Sequence, residues 1–312
     1  MGRRWQRRCC GLAVAAAVLA AGCSGNANNG GQATRSAGQA ATATTLTNLP
    51  QPSSRCGAPN VKATVLRFPA ADGLQLDGVL LGSGPAGVVL LHQHPADLCG
   101  FWPYAVYLSK RGLHALAIDL RCYGKSACPQ ADDAKSRVVD DVAGAVAALR
   151  AHGAKRIALV GASLGASTAL LAGAALRPPV AAVVSLSTGK FDLSTVLGGS
   201  RPLDTYAAAK RLTVPVLFAV ARDDPNLPVE LVKALYRVAP ARDKQLAILG
   251  GSSTGLHGWD LLGGTNGAGF TPSPPRSPAS SAPTPAAKLR TGCWRPRSGL
   301  PGASRDVTAD GP

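Results

Sequence analysis

One stretch, residues 155–174, constrains the fold of this chain more than any other. The apolar run 157–160 predicts a buried strand, and the Ala- and Leu-rich residues after Ser163 predict a helix. Between them lies the turn Gly-Ala-Ser-Leu-Gly, in which Gly161 and Gly165 flank the serine. A strand, a turn of this pattern and a helix in succession are typical of a nucleophile elbow, where small neighbours let strand and helix approach closely. Ser163 is therefore a candidate nucleophile.

The net charge of +16 does not indicate a nucleic-acid partner once it is divided along the 312 residues. Residues 1–55 hold six Arg and no acid, residues 263–312 hold six Lys or Arg and two Asp, and residues 56–262 hold 21 basic and 15 acidic residues. No basic run is interleaved with aromatic residues, as a surface for single strands requires. We therefore predict no nucleic-acid partner.

The N-terminus has the pattern of an export signal. Four Arg among the first eight residues precede an apolar segment that is too short to span a bilayer comfortably. The segment ends Leu-Ala-Ala-Gly-Cys and resembles the lipobox of bacterial lipoproteins, although Ala20 stands where Leu is commonest. We predict a signal peptide over residues 1–23, a lipid on Cys23, and an exported protein anchored to the cell membrane or at the outer face of the cell envelope. An ordinary signal peptide cut nearby is the alternative.

Composition divides the remaining chain into three parts. Residues 24–55 consist mainly of Gly, Asn, Ala, Thr, Ser and Gln, which predicts a disordered tether. Residues 56–264 carry regular apolar patterns and predict one folded domain. Residues 265–312 contain a Pro- and Ser-rich tract without a sustained period, which predicts a disordered tail.

Apolar runs alternate with helical patterns through the predicted domain. Strands are predicted at 61–68, 74–81, 87–92, 113–119, 155–160, 180–186, 214–220 and 244–249, and helices at 102–111, 136–150, 203–212 and 228–238. This alternation indicates βαβ units, and therefore an α/β fold of three layers, α/β/α, around a mostly parallel sheet.

Several motifs within residues 61–262 together resemble the α/β-hydrolase superfamily. Leu-Leu-His-Gln at 90–93 looks like the third strand of the family and its oxyanion loop, although Gln93 stands where the family usually has Gly. Residues 119–126 look like the family motif D-x-R-G-x-G-x-S, and the elbow follows. The segment 187–213 is too short for a large cap, so the chain is similar to the small, nearly lidless members.

The resemblance implies a triad in the chain order serine, acid, histidine. Ser163 needs a base, because a free hydroxyl is a poor nucleophile at neutral pH. The implied base is His257, in a glycine-flanked loop after the last strand. The implied acid is Asp224, with Pro228 as the downstream proline of the family pattern, and Asp223 is the alternative.

The resemblance also implies two backbone donors for the oxyanion. One is the N–H of Leu164 at the start of the elbow helix, and the other comes from Gln93 or His94. The Gln93 side chain either donates to the substrate itself or packs inside the domain.

The cysteines near the domain are disulfide candidates in an exported protein. They are Cys56, Cys99, Cys122 and Cys128, and the sequence does not choose among their three pairings. Since Cys122 stands where the family usually has Gly, we favour a disulfide that braces the rim of the implied active site. No CxxC pair or HExxH helix is present, so we predict no metal and no cofactor.

These observations predict a monomeric serine hydrolase that cleaves a small-molecule ester, or as a second choice an amide or peptide, through an acyl-enzyme. An acyltransferase with the same triad is one alternative. The other is a catalytically silent envelope lipoprotein that binds a ligand. It is favoured by the lack of a predicted helix after the His257 loop, where the superfamily usually has one.

Overall fold

The domain is built on one sheet, whose central strands are apolar on both faces. The computed structural model describes residues 44–45, 55–56, 61–188, 197–200, 203–250 and 255–263. All of them belong to one unit, residues 1–275. A second unit, residues 276–312, the predicted signal peptide with Cys23 and the predicted tail lie outside the described residues.

The elements of the described residues follow the predicted alternation closely. The strands are β1 (Thr44–Thr45), β2 (Ala63–Pro69), β3 (Gln75–Leu81), β4 (Ala86–Leu91), β5 (His114–Ile118), β6 (Arg156–Ala162), β7 (Ala182–Leu186), β8 (Val216–Ala221) and β9 (Lys244–Leu249). The α-helices are α1 (Trp102–Ser109), α2 (Asp132–Lys135), α3 (Val138–Ala151), α4 (Leu164–Ala175), α5 (Thr205–Ala209) and α6 (Val229–Val238). Two 3-10 helices lie at Leu98–Phe101 and Gly258–Leu262.

The sheet has the order β1-β2-β3-β5-β4-β6-β7-β8-β9. Strands β4 to β9 are parallel to one another, while β1, β2 and β3 form an antiparallel edge. Alternate residues of β4 belong to two different buried clusters, one containing α3, α4, α5 and α6 and the other α1 and the second 3-10 helix. The predicted three-layer α/β/α fold with a mostly parallel sheet is confirmed.

Helix α5 is shorter than predicted, for local reasons at both ends. Asp204 ends the preceding extended chain, and its Oδ1 accepts hydrogen bonds from the N–H groups of Tyr206 (2.8 Å) and Ala207 (3.1 Å). At the other end, the hydrogen bonds tighten to a three-residue spacing: the Arg211 N–H donates to the Ala208 carbonyl (2.9 Å) and the Leu212 N–H to the Ala209 carbonyl (3.2 Å). The apolar pattern over 203–212 therefore indicates which residues are buried, and it extends past the end of the helix to the buried Leu212.

Two short parts of the predicted tether are described, and both contact the domain. Thr44 and Thr45 pair with Arg67 and Leu66 of β2. The guanidinium of Arg55 forms ion pairs with carboxylates of the domain, and the next residue, Cys56, forms a disulfide with Cys99. The remaining residues of the predicted tether lie outside the described part of the chain.

The structure chooses among the disulfide pairings that the sequence left open. Cys56 pairs with Cys99, with their Cα atoms 5.1 Å apart, and Cys122 pairs with Cys128, with their Cα atoms 4.1 Å apart. The first bond ties the segment before β2 to the 3-10 helix ahead of α1. The second closes the loop after β5.

Candidate active site

The predicted elbow is formed by the end of β6 and the start of α4. Ser163 has φ 50° and ψ −108°, a conformation that is strained for a residue with a side chain. Its N–H donates to the Leu186 carbonyl (2.8 Å), which ties the turn to β7. A Cβ atom on Gly165 would overlap the Leu91 carbonyl, and one on Gly161 would overlap the Gly165 carbonyl. Strand, turn and helix therefore approach as closely as the motif predicts.

A histidine–carboxylate pair lies at the same edge of the sheet. The Nδ1 atom of His257 is 2.8 Å from Oδ1 and 3.0 Å from Oδ2 of Asp224. The Asp224 side chain is fully buried, while that of His257 is 14% exposed. A carboxylate can only accept, so Nδ1 carries the proton and the neutral ring keeps an unprotonated Nε2.

The pKa of Asp224 keeps this side chain ionised. Burial acts to raise the pKa, but hydrogen bonds from His257, from Ser187 and from the Asn226 N–H (3.0 Å) outweigh it, and the pKa lies below its usual value. Asp224 therefore faces the imidazole of His257 as a carboxylate.

Asp223, the alternative acid, has a different partner. Its Oδ2 accepts a hydrogen bond from the N–H of Gly255 at 3.2 Å. Asp223 therefore contacts the start of the loop that carries His257, whereas Asp224 contacts the imidazole.

Sequence reasoning missed Ser187, which directly follows β7. This residue has φ 55°, and its Oγ accepts a hydrogen bond from the N–H of Gly258 at 2.9 Å and also bonds to Asp224. One hydroxyl thus connects the acid with the residue after the histidine. A polar side chain at the carboxyl end of a buried strand next to the elbow strand was the signal that could have found it.

A 3-10 turn directly follows His257 and stabilises its loop. Within this turn the Asp260 N–H donates to the His257 carbonyl (3.1 Å), and Asp260 Oδ2 accepts from the His257 N–H (3.4 Å). The ring of Trp259 meets that of Phe101 edge to face, with centroids 5.7 Å apart. A Cβ atom on Gly100 would overlap the Trp259 indole, so the ring occupies a space that only glycine leaves open.

We expect Trp259→Ala to lower kcat by about 10- to 100-fold, because a displacement of about 1 Å at a catalytic group can cost this much. Trp259→Phe keeps an aromatic ring over Gly100 and is expected to retain most of kcat. Steady-state kinetics on a small ester, with thermal unfolding in parallel, measures the effect. A Trp259→Ala variant with unchanged kcat would show that the indole does not position His257.

The predicted oxyanion residues surround the elbow in different ways. Leu164 is the first residue of α4, where the leading N–H groups have no acceptor within the helix. The Gln93 carbonyl accepts from the Ala96 N–H (3.0 Å), and its side-chain oxygen lies against Gly258. The exposed His94 has its Nδ1 atom 2.8 Å from the Tyr123 hydroxyl. The side-chain oxygen of Gln93 is thus buried, while the residue as a whole is half-buried.

His92 is buried at the base of the same loop and is neutral. Its Nδ1 donates to the Gln93 carbonyl (2.9 Å), and its Nε2 accepts from the Leu120 N–H (3.1 Å). Burial lowers the pKa of His92 below its usual value. Since both ring nitrogens are engaged, His92 fixes the loop and is not a candidate base.

A buried carboxylate connects the loops beside the site. Asp119 accepts from the N–H groups of Leu98 (2.9 Å) and Lys125 (2.8 Å), and its Oδ2 is 2.8 Å from Nη2 of Arg55. The same guanidinium nitrogen is 3.0 Å from Asp97. Arg55 thereby provides the positive charge that offsets these two acids.

Among the residues that the structure describes, no group of three or more histidine, cysteine or acidic side chains is arranged to hold a metal ion. Over the same residues, no helix is both long enough and apolar enough to cross a membrane.

Comparisons with known proteins identify the fold. The family described as alpha/beta hydrolase fold matches residues 87–211. Among solved structures, an esterase from Pyrococcus furiosus is 18% identical, with a TM-score of 0.54 over 67% of this chain and 87% of the esterase. An esterase from Exiguobacterium antarcticum is 17% identical, with a TM-score of 0.50 over 59% of this chain and 90% of that one. An enol-lactonase from Burkholderia xenovorans is 16% identical, with a TM-score of 0.50 over 57% and 89%.

A comparison with curated protein sequences gave no match. At these identities the solved structures show the fold, and the predicted fold is confirmed. The matched range contains the elbow and the oxyanion loop but ends before Asp224 and His257. The structural contacts of those two residues therefore carry the case for their roles.

Proposed function

We propose that this chain, which has the α/β-hydrolase fold, is a serine hydrolase that cleaves carboxylic esters. One observation carries the proposal: the paired His257 and Asp224 lie at the sheet edge where Ser163 forms the strained turn. The neighbours of Ser163 and His257 in the sequence are in contact: a Cβ atom on Gly258, which follows His257, would lie 3.3 Å from the Cβ atom of Ala162, which precedes Ser163. This contact supports the assignment of Ser163 as nucleophile, His257 as base and Asp224 as orienting acid, from three separate parts of the chain.

The reaction follows from this arrangement in two balanced steps. In the first, Ser163 Oγ attacks the ester carbonyl carbon while Nε2 of His257 accepts the hydroxyl proton, and the alcohol leaves with that proton. In the second, a water molecule attacks the carbonyl carbon of the acyl-enzyme while Nε2 of His257 accepts a proton from the water. The imidazolium then returns this proton to Ser163 Oγ, and the carboxylic acid is released. Asp224 stays ionised and stabilises the imidazolium that forms in each step.

The start of α4 suits the negative charge that develops on the carbonyl oxygen. The Leu164 N–H stands at the positive end of the helix, and a second N–H from Gln93 or His94 completes the proposed pair of donors. Removing one such donor typically costs about 2.7–4 kcal/mol of transition-state stabilisation.

An ester is the bond that the comparisons favour. Two of the solved structures with this fold are esterases and a third is an enol-lactonase. The alkoxide of an ester is also a better leaving group than the nitrogen of an amide, so an ester depends less on acid catalysis by the imidazole. We further propose that the protein is exported and carries a lipid on Cys23, as its N-terminal sequence predicts. The mass of the mature N-terminal peptide tests this, and an unmodified Cys23 would contradict it.

Labelling with a fluorophosphonate probe tests the proposed hydrolase directly. The purified chain should form a covalent adduct at Ser163, and Ser163→Ala should form none. Ser83→Ala, at the far edge of the sheet, serves as the control and should label like the unchanged chain. Folded protein that shows no labelling dependent on Ser163 would favour a silent binding protein. Labelling together with acyl transfer to added alcohols in preference to water would instead favour an acyltransferase.

A further inference from the structure

The loops at the two ends of the parallel strands differ in charge, and the net charge of the chain does not show this difference. Because β4 to β9 are parallel, their amino ends lie together at one edge, in register with one another. The carboxyl ends, with Ser163 and His257, lie at the opposite edge. The loops at the two edges can therefore be compared directly.

We name the amino-terminal edge, with the start of β2 beside it, the basic edge. The segments are 61–62, 82–85, 109–113, 150–156, 176–181, 210–215 and 239–243, and the structure describes all of them. Ten exposed basic side chains lie in these segments: Lys62, Lys110, Arg111, Arg150, Lys155, Arg156, Arg177, Lys210, Arg211 and Arg242. Within the same described segments a single carboxylate occurs, Asp243.

The opposite edge carries acidic and basic side chains together. Its carboxylates are Asp72, Asp97, Asp119, Asp132, Asp133, Asp204, Asp223, Asp224 and Asp260, and its bases are Arg55, Arg121, Lys125, Lys135, Arg137 and Arg222. Several of these charges are paired, as in Arg55 with Asp119, Arg121 with Asp141 and Lys135 with Asp132. The excess of positive charge is thus concentrated at the basic edge, away from the candidate active site.

Helix ends explain only part of the positive charge. Helices α1, α3, α4, α5 and α6 end at the basic edge, and each C-terminus contributes about half a negative charge. Some cations do bind these carbonyl groups: Arg111 donates to Tyr107 and Arg177 to Leu176. With Arg156 left out because it has a partner of its own, five half charges and Asp243 offset about three or four of the nine remaining cations, so a surplus of positive charge remains.

A groove at the basic edge combines donors with apolar side chains. Its volume is about 580 Å³, and its lining includes Lys62, Lys110, Ser83 and Ser109 beside Val61, Leu80 and Val106. Ammonium and hydroxyl groups are donors suited to phosphate oxygens. A groove of this size accepts a phosphodiester headgroup.

We infer that the basic edge docks on an anionic phospholipid bilayer. Each Lys or Arg close to such a surface contributes to binding, and the contributions fall off within a Debye length. A polybasic surface is a second signal that strengthens the attachment of a lipid-anchored protein. The export signal predicted at the N-terminus places the chain next to a membrane.

A single-stranded nucleic acid fits the basic edge less well. Stacking platforms for bases need exposed aromatic faces, and the tyrosines near this edge are covered by cations. The guanidinium of Arg111 lies 3.5 Å from the centre of the Tyr107 ring, and the ammonium of Lys210 lies 5.5 Å from that of Tyr206.

Docking through this edge fixes where the candidate active site stands. Strands of five to seven residues separate the two edges, at about 3.3 Å per residue, so Ser163 lies on the order of 20 Å from the lipid headgroups. The site then faces away from the bilayer and takes substrate from the aqueous side.

Vesicle sedimentation of the purified full chain tests the inference. Binding to phosphatidylcholine vesicles gives the attachment that the N-terminal segment provides. The additional binding to vesicles that also contain phosphatidylglycerol gives the electrostatic part of membrane binding. The variant Lys62→Gln/Lys110→Gln/Lys155→Gln should lower partitioning into the anionic vesicles about 100-fold, at roughly five-fold per charge. Salt near 1 M, where the Debye length is about 3 Å, should remove the electrostatic part.

The matched control removes three Lys charges from outside the basic edge. Lys125→Gln/Lys135→Gln/Lys233→Gln has the same net charge as the test variant, and it should keep most of the anionic binding. Equal losses in both variants would show that net charge alone acts and would overturn the inference. Binding to duplex DNA without binding to anionic vesicles would overturn it as well.

Acetylation footprinting locates the bound surface without any substitution. Anionic vesicles should protect Lys62, Lys110 and Lys155 from an amine-reactive reagent, while Lys125 and Lys233 should react equally with and without lipid. Protection of Lys125 instead would place the opposite edge, with the candidate active site, on the membrane and contradict the proposed orientation.

Discussion

Replacing Asp224 with Asn is expected to lower kcat for a small ester by about 10⁴-fold, the size of effect known for this change in a serine–histidine–acid triad. The carboxylate holds the proton on Nδ1 of His257 at 2.8 Å, so that Nε2 can accept the serine proton. An amide can donate to Nδ1, which favours the opposite tautomer and leaves Nε2 protonated. It also removes the negative charge that stabilises the imidazolium. Steady-state kinetics with an activated ester provides the measurement.

The neighbouring Asp223→Asn change is the matched control. Asp223 accepts a hydrogen bond from the Gly255 N–H, and the oxygen of Asn can accept the same bond. We therefore expect kcat to stay within about ten-fold of the original value, a difference of roughly 1.4 kcal/mol. A larger loss from Asp223→Asn than from Asp224→Asn would reverse the assignment of the acid.

The fold and the elbow were predictable because their signals are local. The run before Ser163 is apolar on every residue, and Gly161 and Gly165 mark a close approach that any side chain would block. Alternation of such runs with helical patterns leaves few topologies open, since crossovers between parallel strands have a fixed hand.

The support of His257 was not predictable, because it depends on contacts between distant parts of the chain. Trp259 occupies the space above Gly100, and Ser187 reaches both Asp224 and Gly258. A Trp in a loop and a Ser after a strand are each common. They become informative only when the fold brings their partners together.

The polarity of charge was hidden for a related reason. Residues 56–262 have a modest excess of basic residues, and a sum over them does not show where the excess lies. The short segments before the parallel strands are mostly free of acids, while those after the strands carry both acids and bases. The alternation of the chain across the sheet therefore concentrates the excess at one edge.

A second large effect is expected at Arg121, which lies fully buried behind the candidate site. Its Nε and Nη2 are 2.9 Å and 2.7 Å from Asp141 Oδ1, and its Nη1 is 3.1 Å from Asp72. The Asp141 side chain is also fully buried. Arg121→Met leaves this carboxylate without its cation, and we expect the free energy of unfolding to fall by about 3–5 kcal/mol at pH 7.5. Urea unfolding followed by circular dichroism measures the change.

The effect should depend on pH in a definite direction. Burial raises the pKa of Asp141 to about 6, although Arg121 opposes the shift. Because this folded-state pKa exceeds the unfolded value of about 3.9, the contribution of Asp141 to stability decreases as the pH rises from about 4 to about 6. Without Arg121 the pKa rises further, so the variant should lose more stability at pH 7.5 than at pH 4.5, where Asp141 is protonated and neutral.

A double change separates the lost charge pair from lost packing. Asp141→Asn removes the buried charge but keeps an oxygen that can accept a hydrogen bond. Its donor is the backbone N–H of residue 121, which bonds to Asp141 Oδ2 at 2.9 Å and which Arg121→Met does not remove. At pH 7.5, Arg121→Met/Asp141→Asn should therefore recover most of the stability that Arg121→Met loses, and its own stability should lack the decrease between pH 4.5 and 7.5 that Asp141 causes. Equal losses in the single and double variants at both pH values would mean that the Arg121 side chain acts through its volume. The positive charge of Arg121 would then contribute little to stability.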